Sequence, residues 1–409
     1  MPEQTPAPSA TARPYIGGQA VLEGVMMRAP QSFAIVVRRR DGSLFVRERA
    51  VTDMRSGPAK WPLVRGITSL VESLKLGSEA LRFSVEQMEK DFAIEEAEEK
   101  ARGASTLTNI LHLGTRVVSA LGMTLFTLAT LEPDPTSANT STVKNESQKV
   151  KGRVEVEVEI PGDQKAEEKK SKGPMEFMLA ISIIFLIALP QAAAAGVNKL
   201  FGLHLELQSA PFQVLTGAMK LSVVIGYLLL IRRVADIKRV FQYHGAEHKT
   251  ITTYEAQEEL IVANARTKTT LHPRCGTTFL VMVALMSILV FTAVGGLLPQ
   301  IKTGNAILDN VVFFLEKLPF LPLITAFTFE LQRVFARYCT TGPLRALLWP
   351  GFLVQKITTI EPDDDQLEVA LASLRATLFR EAGEKPEVND DVAFESYDAI
   401  ATAERLRAA

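Results

Sequence analysis

The chain has 409 residues, of which 47% are hydrophobic, and its formal net charge is −1 at pH 7. This length is sufficient for more than one folded unit. A net charge near zero gives no bulk attraction to nucleic acid, so we expect no nucleic-acid partner. The two cysteines are too few for a disulfide framework.

The N-terminal part begins with residues 1–14, which are rich in Pro, Ala and Thr. They predict a short disordered tail and not a cleaved signal. Residues 15–103 predict a small α+β unit. Asp41-Gly42 between two β-prone runs indicates a hairpin, and a stripe of leucines indicates a long helix from Arg65 to Lys90. The glycines near position 20 match no phosphate-binding loop, which favours tight turns or close backbone contacts.

Two segments then separate this unit from the apolar part of the chain. Residues 104–131 are moderately apolar and carry His112 and Arg116, which is typical of an interfacial helix or a weak membrane span. Residues 132–173 are rich in Glu, Lys, Ser and Thr, and we predict a disordered charged insertion there.

Residues 174–341 form a predicted membrane domain. Four stretches in it have about the length and apolarity needed to cross a bilayer; they are Phe177–Val197, Phe212–Ile231, Thr277–Leu298 and Val311–Leu331. The expected fold class is therefore an α-helical polytopic membrane protein with about four transmembrane helices and a small cytoplasmic N-terminal α+β unit.

The loop charges predict the orientation of these helices. Residues 232–275 hold eight Lys and Arg residues, whereas each of the two loops on the other side holds one. The positive-inside rule places the basic loop in the cytoplasm, and four spans then place both termini there as well.

The last segment, residues 342–409, predicts an interfacial piece followed by an amphipathic helix from Leu367 to Phe379. The acidic residues before this helix end one element and cap the next. Beyond the helix, the acidic C-terminal residues predict a loosely ordered end.

The basic loop contains the pattern most typical of chemistry, H-x-x-E-H at His244, Glu247 and His248. At these spacings the three side chains share one helical face. Two imidazoles one turn apart can bind a divalent metal, and an adjacent carboxylate can act as a general base. The same order of residues marks the inverzincin metallopeptidases. We therefore interpret His244 and His248 as metal ligands and Glu247 as the catalytic base.

A third ligand has three candidates, His272, Cys275 and Glu330, because each is expected near the cytoplasmic end of a span. Cys275 would also lie at a helix N-terminus, where the dipole favours the thiolate. Glu255 is less suitable, since seven residues on a straight helix separate it from His248 by roughly 10 Å. A divalent ion, with zinc as the first hypothesis, is the expected cofactor.

Structural interpretations of the same residues remain open. The two loop histidines can form hydrogen bonds at a headgroup interface, Cys275 can be a small buried side chain, and Glu330 can pair with Arg274 or Arg333. Lys220, within the second long span, requires a partner or a watery cavity. Glu316 is its candidate partner.

Several longer motifs resemble the YqhQ-like family of bacterial membrane proteins. They are residues 15–30, 62–66, 243–250, 272–277 and 358–364. The resemblance covers roughly residues 15–379 and implies a bacterial inner-membrane protein, a family of unknown function and a metal-dependent enzyme. Residues 132–173 look additional to the family pattern.

Three functions follow as hypotheses. The first is a metal-dependent hydrolase at the cytoplasmic membrane face. The second is a non-catalytic membrane scaffold or regulator with a structural polar or metal cluster, and the third is a transporter. The expected partners are the lipid bilayer and other membrane proteins, and the substrate is not indicated.

Overall fold

The computed structural model describes residues 13–51, 61–101, 188–299, 301–339, 342–383 and 391–402. Most of the predicted N-terminal tail, the predicted interfacial helix or weak span at 104–131 and the predicted insertion at 132–173 lie outside these ranges.

The strands form one antiparallel sheet in which each strand pairs with the next along the chain. They are β1 (Gly17–Val21), β2 (Gly24–Arg28), β3 (Ser32–Arg38), β4 (Leu44–Ala50) and β5 (Val392–Phe394). The predicted hairpin is β3–β4, and Gly42 in its turn has a φ of +88°, a value that favours glycine. The prediction of a loosely ordered C-terminal end is wrong for β5, because this segment forms the edge strand of the sheet and pairs with β4.

The helices begin with α1 (Val64–Ala101), which starts one residue before the predicted helix and ends eleven residues after it. Residues 188–200 are helical. The others are α2 (Ala210–Ile231), α3 (Ala235–Glu255), α4 (Val262–Arg266), α5 (Gly276–Val294), α6 (Ala306–Lys317), α7 (Leu321–Tyr338), α8 (Trp349–Thr358), α9 (Asp364–Glu381) and α10 (Tyr397–Thr402).

Helices cover both faces of the sheet, which is why β1, β2 and nearly all of β3 are buried. Successive strand residues face opposite sides. Arg28 pairs with Glu72 of α1 on one face, whereas the Ser32 hydroxyl donates to the Thr377 carbonyl of α9 on the other. The predicted C-terminal amphipathic helix is thus α9, and its apolar stripe packs on the sheet. Asp363 is its N-cap, in the acidic segment expected to cap it.

Three apolar helical stretches are long enough to cross a membrane: Ala210–Ile231, Gly276–Leu297 and Leu308–Phe335. The last joins α6 and α7 through a 3₁₀ turn at Leu318–Phe320, which contains Pro319, and Pro322 lies in the first turn of α7. Of the predicted first span, only residues 188–197 lie within the described ranges, and they are helical.

Helices α2 and α5 are antiparallel neighbours. Gln213 lies beside Gly295, and Gly217 one turn later lies against Ile288. The end of α2 and the start of α5 therefore lie at the same end of the apolar bundle. Helix α3 follows α2 after three residues, so the H-x-x-E-H segment is held between this end of the bundle and the sheet.

Gly245 of α3 lies directly against the segment after α8. A Cβ at residue 245 would lie 2.2 Å from the Ile360 carbonyl oxygen, whereas a Cβ at Gly226 of α2 would meet nothing within 4 Å. We predict that Gly245→Ala destabilises the protein by about 2 kcal/mol, since overpacking forces backbone shifts. The measurement is the unfolding midpoint of the detergent-purified protein. Gly226→Ala is the control and should leave the midpoint nearly unchanged.

Candidate functional site

Helix α3 is buried on nearly every side around the H-x-x-E-H pattern. Every residue from Tyr243 to Ile251 is buried, whereas Gln242 before this run and Thr252 after it are partly exposed. A helix that is enclosed all round belongs to the core, yet this one carries His244, Glu247 and His248. Buried polar groups need partners, and other elements of the fold supply them.

His244, His248 and Cys275 form the centre of the site. One donor atom from each residue lies within 4.8 Å of the others, and all three side chains are buried. The Nε2 atom of His244 is 3.2 Å from the Cys275 Sγ atom. The two imidazole centroids are 4.4 Å apart. The structure therefore brings the helical histidine pair together with one of the three candidate third ligands.

Backbone carbonyls orient both imidazoles. The Nδ1 atom of His244 lies 2.9 Å from the Thr358 carbonyl oxygen, and that of His248 lies 2.5 Å from the Thr270 carbonyl oxygen. A carbonyl only accepts, so each Nδ1 carries the proton and donates it. The Nε2 lone pairs remain for the cluster, and metal-binding histidines usually donate their other ring N–H to a carbonyl or carboxylate in this way.

Burial keeps both histidines neutral at pH 7. Loss of solvation lowers the pKa of His244 to about 4. It also lowers the pKa of His248 well below the ordinary value, and the neighbouring His244 and His272 add to the effect. Neutral imidazole is the form that binds metals.

Cys275 is the N-cap residue of α5, as the predicted helix start implied. Its Sγ atom lies 3.1 Å from the Thr277 hydroxyl. The preceding turn is fixed by Gln355 of α8: its side-chain oxygen accepts the His272 backbone N–H at 2.9 Å, and its nitrogen donates to the His272 carbonyl at 2.8 Å. Gln355 thus fixes the turn that leads into Cys275.

His272 lies beside the cluster. Its ring centroid is 5.6 Å from that of His248, and its Nε2 atom is 3.4 Å from a Glu255 carboxylate oxygen. Glu255 also pairs with Arg274, whose guanidinium lies over the Tyr15 ring. Glu255 is therefore paired with His272 and Arg274 and not with His248, as expected from its distance from His248 along α3.

Glu330 lies in a different environment. Both of its carboxylate oxygens accept from the Arg65 guanidinium, at 2.6 and 2.5 Å, and this ion pair joins α1 to α7. The structure thus separates Glu330 from the histidines and the cysteine. Its hydrogen-bond partner is Arg65, which the sequence did not suggest, and Arg333, one of the two arginines considered from the sequence, also interacts with it electrostatically.

Glu247 belongs to the same buried helix but not to the three-residue cluster. A Cβ at Gly18 of β1 would lie 2.9 Å from its Oε1 atom, so the carboxylate lies directly against that strand. The close backbone contact expected for the N-terminal glycines is found here. Any side chain at residue 18 would displace the carboxylate.

Sequence reasoning missed the residues that orient the site, namely Thr270, Gln355 and Thr358. Two of them act through backbone carbonyls, which side-chain identity does not reveal. The only signal in the sequence was the motif that starts at Thr358, which the family resemblance contained but to which no role was given.

Comparison with known proteins places the chain in a family. The family described as "Protein of unknown function (DUF1385)" matches residues 61–380. The chain belongs to this family. It is also 27% identical over 386 residues to "Uncharacterized protein YqhQ" of Bacillus subtilis (strain 168), covering 92% of this chain and 97% of that protein. No solved structure matches. The YqhQ-like resemblance is therefore confirmed, and these descriptions name no reaction.

The burial of His244 predicts a pH dependence of stability in chelator-treated protein. Its pKa is about 4 when folded and about 6.5 when unfolded, so below pH 6.5 the unfolded state binds the extra proton and stability falls as the pH falls. The loss from this residue at pH 5 is about 2 kcal/mol relative to pH 7. Unfolding midpoints at the two pH values measure it.

His244→Asn is the test variant, because its side-chain amide can still donate to the Thr358 carbonyl but does not titrate. The loss between pH 7 and pH 5 should be smaller in this variant. The exposed His204 gives the matched control, and His204→Asn should keep the wild-type loss. An unchanged loss in His244→Asn would contradict the prediction.

Proposed function

We propose that the protein is a metal-dependent hydrolase of the bacterial inner membrane, with its site at the cytoplasmic face. The observation that carries the proposal is the set of three buried donor atoms from His244, His248 and Cys275, all within 4.8 Å of one another. Structural zinc sites usually have four protein ligands, whereas catalytic sites have three and keep one position open. Within the described residues this cluster has three.

Membrane insertion is supported by the surface of the apolar helices. Large apolar side chains such as Leu229, Leu230 and Leu289 are exposed on them. Contact with lipid would remove this surface from water. The basic residues between α2 and α5 favour the cytoplasmic side for the end of the bundle that carries the cluster.

The donor set fits zinc. Thiolate and imidazole are the ligands that zinc prefers in proteins, and both imidazoles present an unprotonated Nε2 for the reason given above. When bound, such an ion supplies Lewis-acid polarisation of a substrate oxygen and activation of water. His244, His248 and Cys275 would hold it, and Gln355 keeps the turn before Cys275 in place.

Glu247 is the proposed general base. It lies on α3 between the two histidines in sequence, it is only 3% exposed, and its donor atoms lie outside the ligand cluster. A base must accept a proton from the attacking water and must not itself be consumed as a ligand. Gly18 leaves room for the carboxylate and limits its movement on the strand side.

A non-catalytic scaffold is the second candidate, and the position of His272 favours it. Its ring lies next to that of His248, so a rotation of the side chain could add a fourth ligand and close the site. A closed four-ligand site would be structural. The two candidates differ in what Glu247 does, because only the hydrolase needs its carboxylate as a base.

The ligand assignment is tested by metal analysis of detergent-purified variants. His248→Ala and Cys275→Ser should each lower the zinc-to-protein ratio at least roughly tenfold, because loss of a ligand weakens metal binding strongly. Glu330→Gln is the control and should retain wild-type metal content, since Glu330 pairs with Arg65. Loss of zinc from Glu330→Gln, or retention by both cluster variants, would contradict the assignment.

Glu247→Gln separates catalysis from structure. Glutamine keeps the size of the side chain but cannot accept the proton, so the variant should retain zinc and the wild-type unfolding midpoint. It should fail to restore the metabolite and lipid profile of a strain that lacks the gene. Full restoration would remove the hydrolase proposal and favour the scaffold.

A further inference from the structure

A second polar cluster lies within the apolar helices, away from the histidines. Lys220 of α2 is 11 residues, about three helical turns, before the end of that helix. Lys220 and Lys317, the last residue of α6, both line one small cavity of about 30 Å³. A charged side chain in such a position is costly and usually functional.

Neutral groups are the only partners of the two ammonium groups among the described residues. Lys220 donates to the Ser287 hydroxyl at 3.0 Å. Lys317 donates to the Gln191 side-chain oxygen at 3.1 Å, and its ammonium lies 4.3 Å from the centroid of the Phe313 ring. The Lys220–Glu316 pairing considered from the sequence is thus wrong. An ammonium has three donors, so each group keeps hydrogen-bonding capacity.

No described residue that lines this cavity has a carboxylate. Besides the lysines, the polar lining consists of neutral side chains: Gln191, Gln213, Thr216 and Ser287. The nearest acidic residue in sequence, Glu316, lines an adjoining wider cavity instead. Two like charges that face one small cavity in an apolar surrounding repel each other and gain little from solvent.

We propose that this cavity is a binding site for a small free monovalent anion of the size of chloride or acetate. Such an anion would accept from both ammonium groups and offset their repulsion. A volume of about 30 Å³ has room for about two water molecules. A small free anion therefore fits, whereas the phosphate headgroup of a lipid does not.

The wider cavity provides the route to the site. It has a volume of about 830 Å³ and lies at the opposite end of the bundle from His244, where residues 198–208 and Pro299, Ile301 and Lys302 contribute to its lining. Gln191 and Phe314 line both cavities. The anion would thus enter from the face opposite the candidate metal site, and Gln191 would be the contact between the entrance and Lys317.

The test uses the full chain in detergent, with chloride or acetate as the probe and gluconate at equal ionic strength as the reference. Gluconate is too large for the cavity. The wild-type unfolding midpoint should rise by about 4 °C or more in chloride and in acetate, because a ligand that binds only the folded state stabilises it. Lys220→Met and Lys317→Met should each abolish the rise.

Lys238→Met is the matched control. Lys238 is exposed on α3, outside the apolar bundle, so this variant should keep the wild-type response. Chloride titration of the wild type by calorimetry gives a measurement that does not depend on how the variants fold, and saturable binding is expected. The proposal is overturned by equal midpoints in all three salts, by absence of saturable binding, or by an anion response that persists in both lysine variants.

Discussion

The candidate site depends on the burial of a polar helix face. Helix α3 places His244, Glu247 and His248 where almost no water reaches, and the cost of burying them is offset only if other segments supply hydrogen-bond partners. The Thr358 and Thr270 carbonyls orient the imidazoles. The position of α8, the turn before α5 and strand β1 are therefore linked to the same helix, and a shift of one element would disturb the others.

This arrangement also connects the sheet to the apolar bundle. On one side of α3 the Glu247 carboxylate lies against Gly18 of β1, and on the other the histidines face the start of α5. The C-terminal helix α9 packs on the same face of the sheet. Residues distant in sequence thus enclose one cluster, with its histidines kept neutral and its cysteine held at a helix start. These are conditions that a soft, imidazole-binding metal requires.

The two polar clusters of the molecule differ in sign. The histidine–cysteine cluster offers lone pairs and suits a cation, whereas the cavity between Lys220 and Lys317 offers N–H donors and suits an anion. They lie at different depths of the apolar bundle, and the large cavity that adjoins the lysines lies at the end opposite the histidines. The proposed cation site and the proposed anion site can therefore be tested independently.

The sequence by itself determined the local features: the hairpin at Asp41-Gly42, the long helix α1, the apolar stretches and the pairing of His244 with His248 one turn apart. Periodicity and spacing act within a single element, so they are visible in the chain. The tertiary structure placed Cys275, and not Glu330, beside the two histidines, because position along the spans does not distinguish these two residues. Only the packing of α1 against α7 showed that Glu330 forms an ion pair with Arg65. The tertiary structure also determined that β5 is the edge strand beside β4 and that Lys220 contacts Ser287. These contacts join segments that are distant in sequence, and no sequence pattern indicates which distant segments meet.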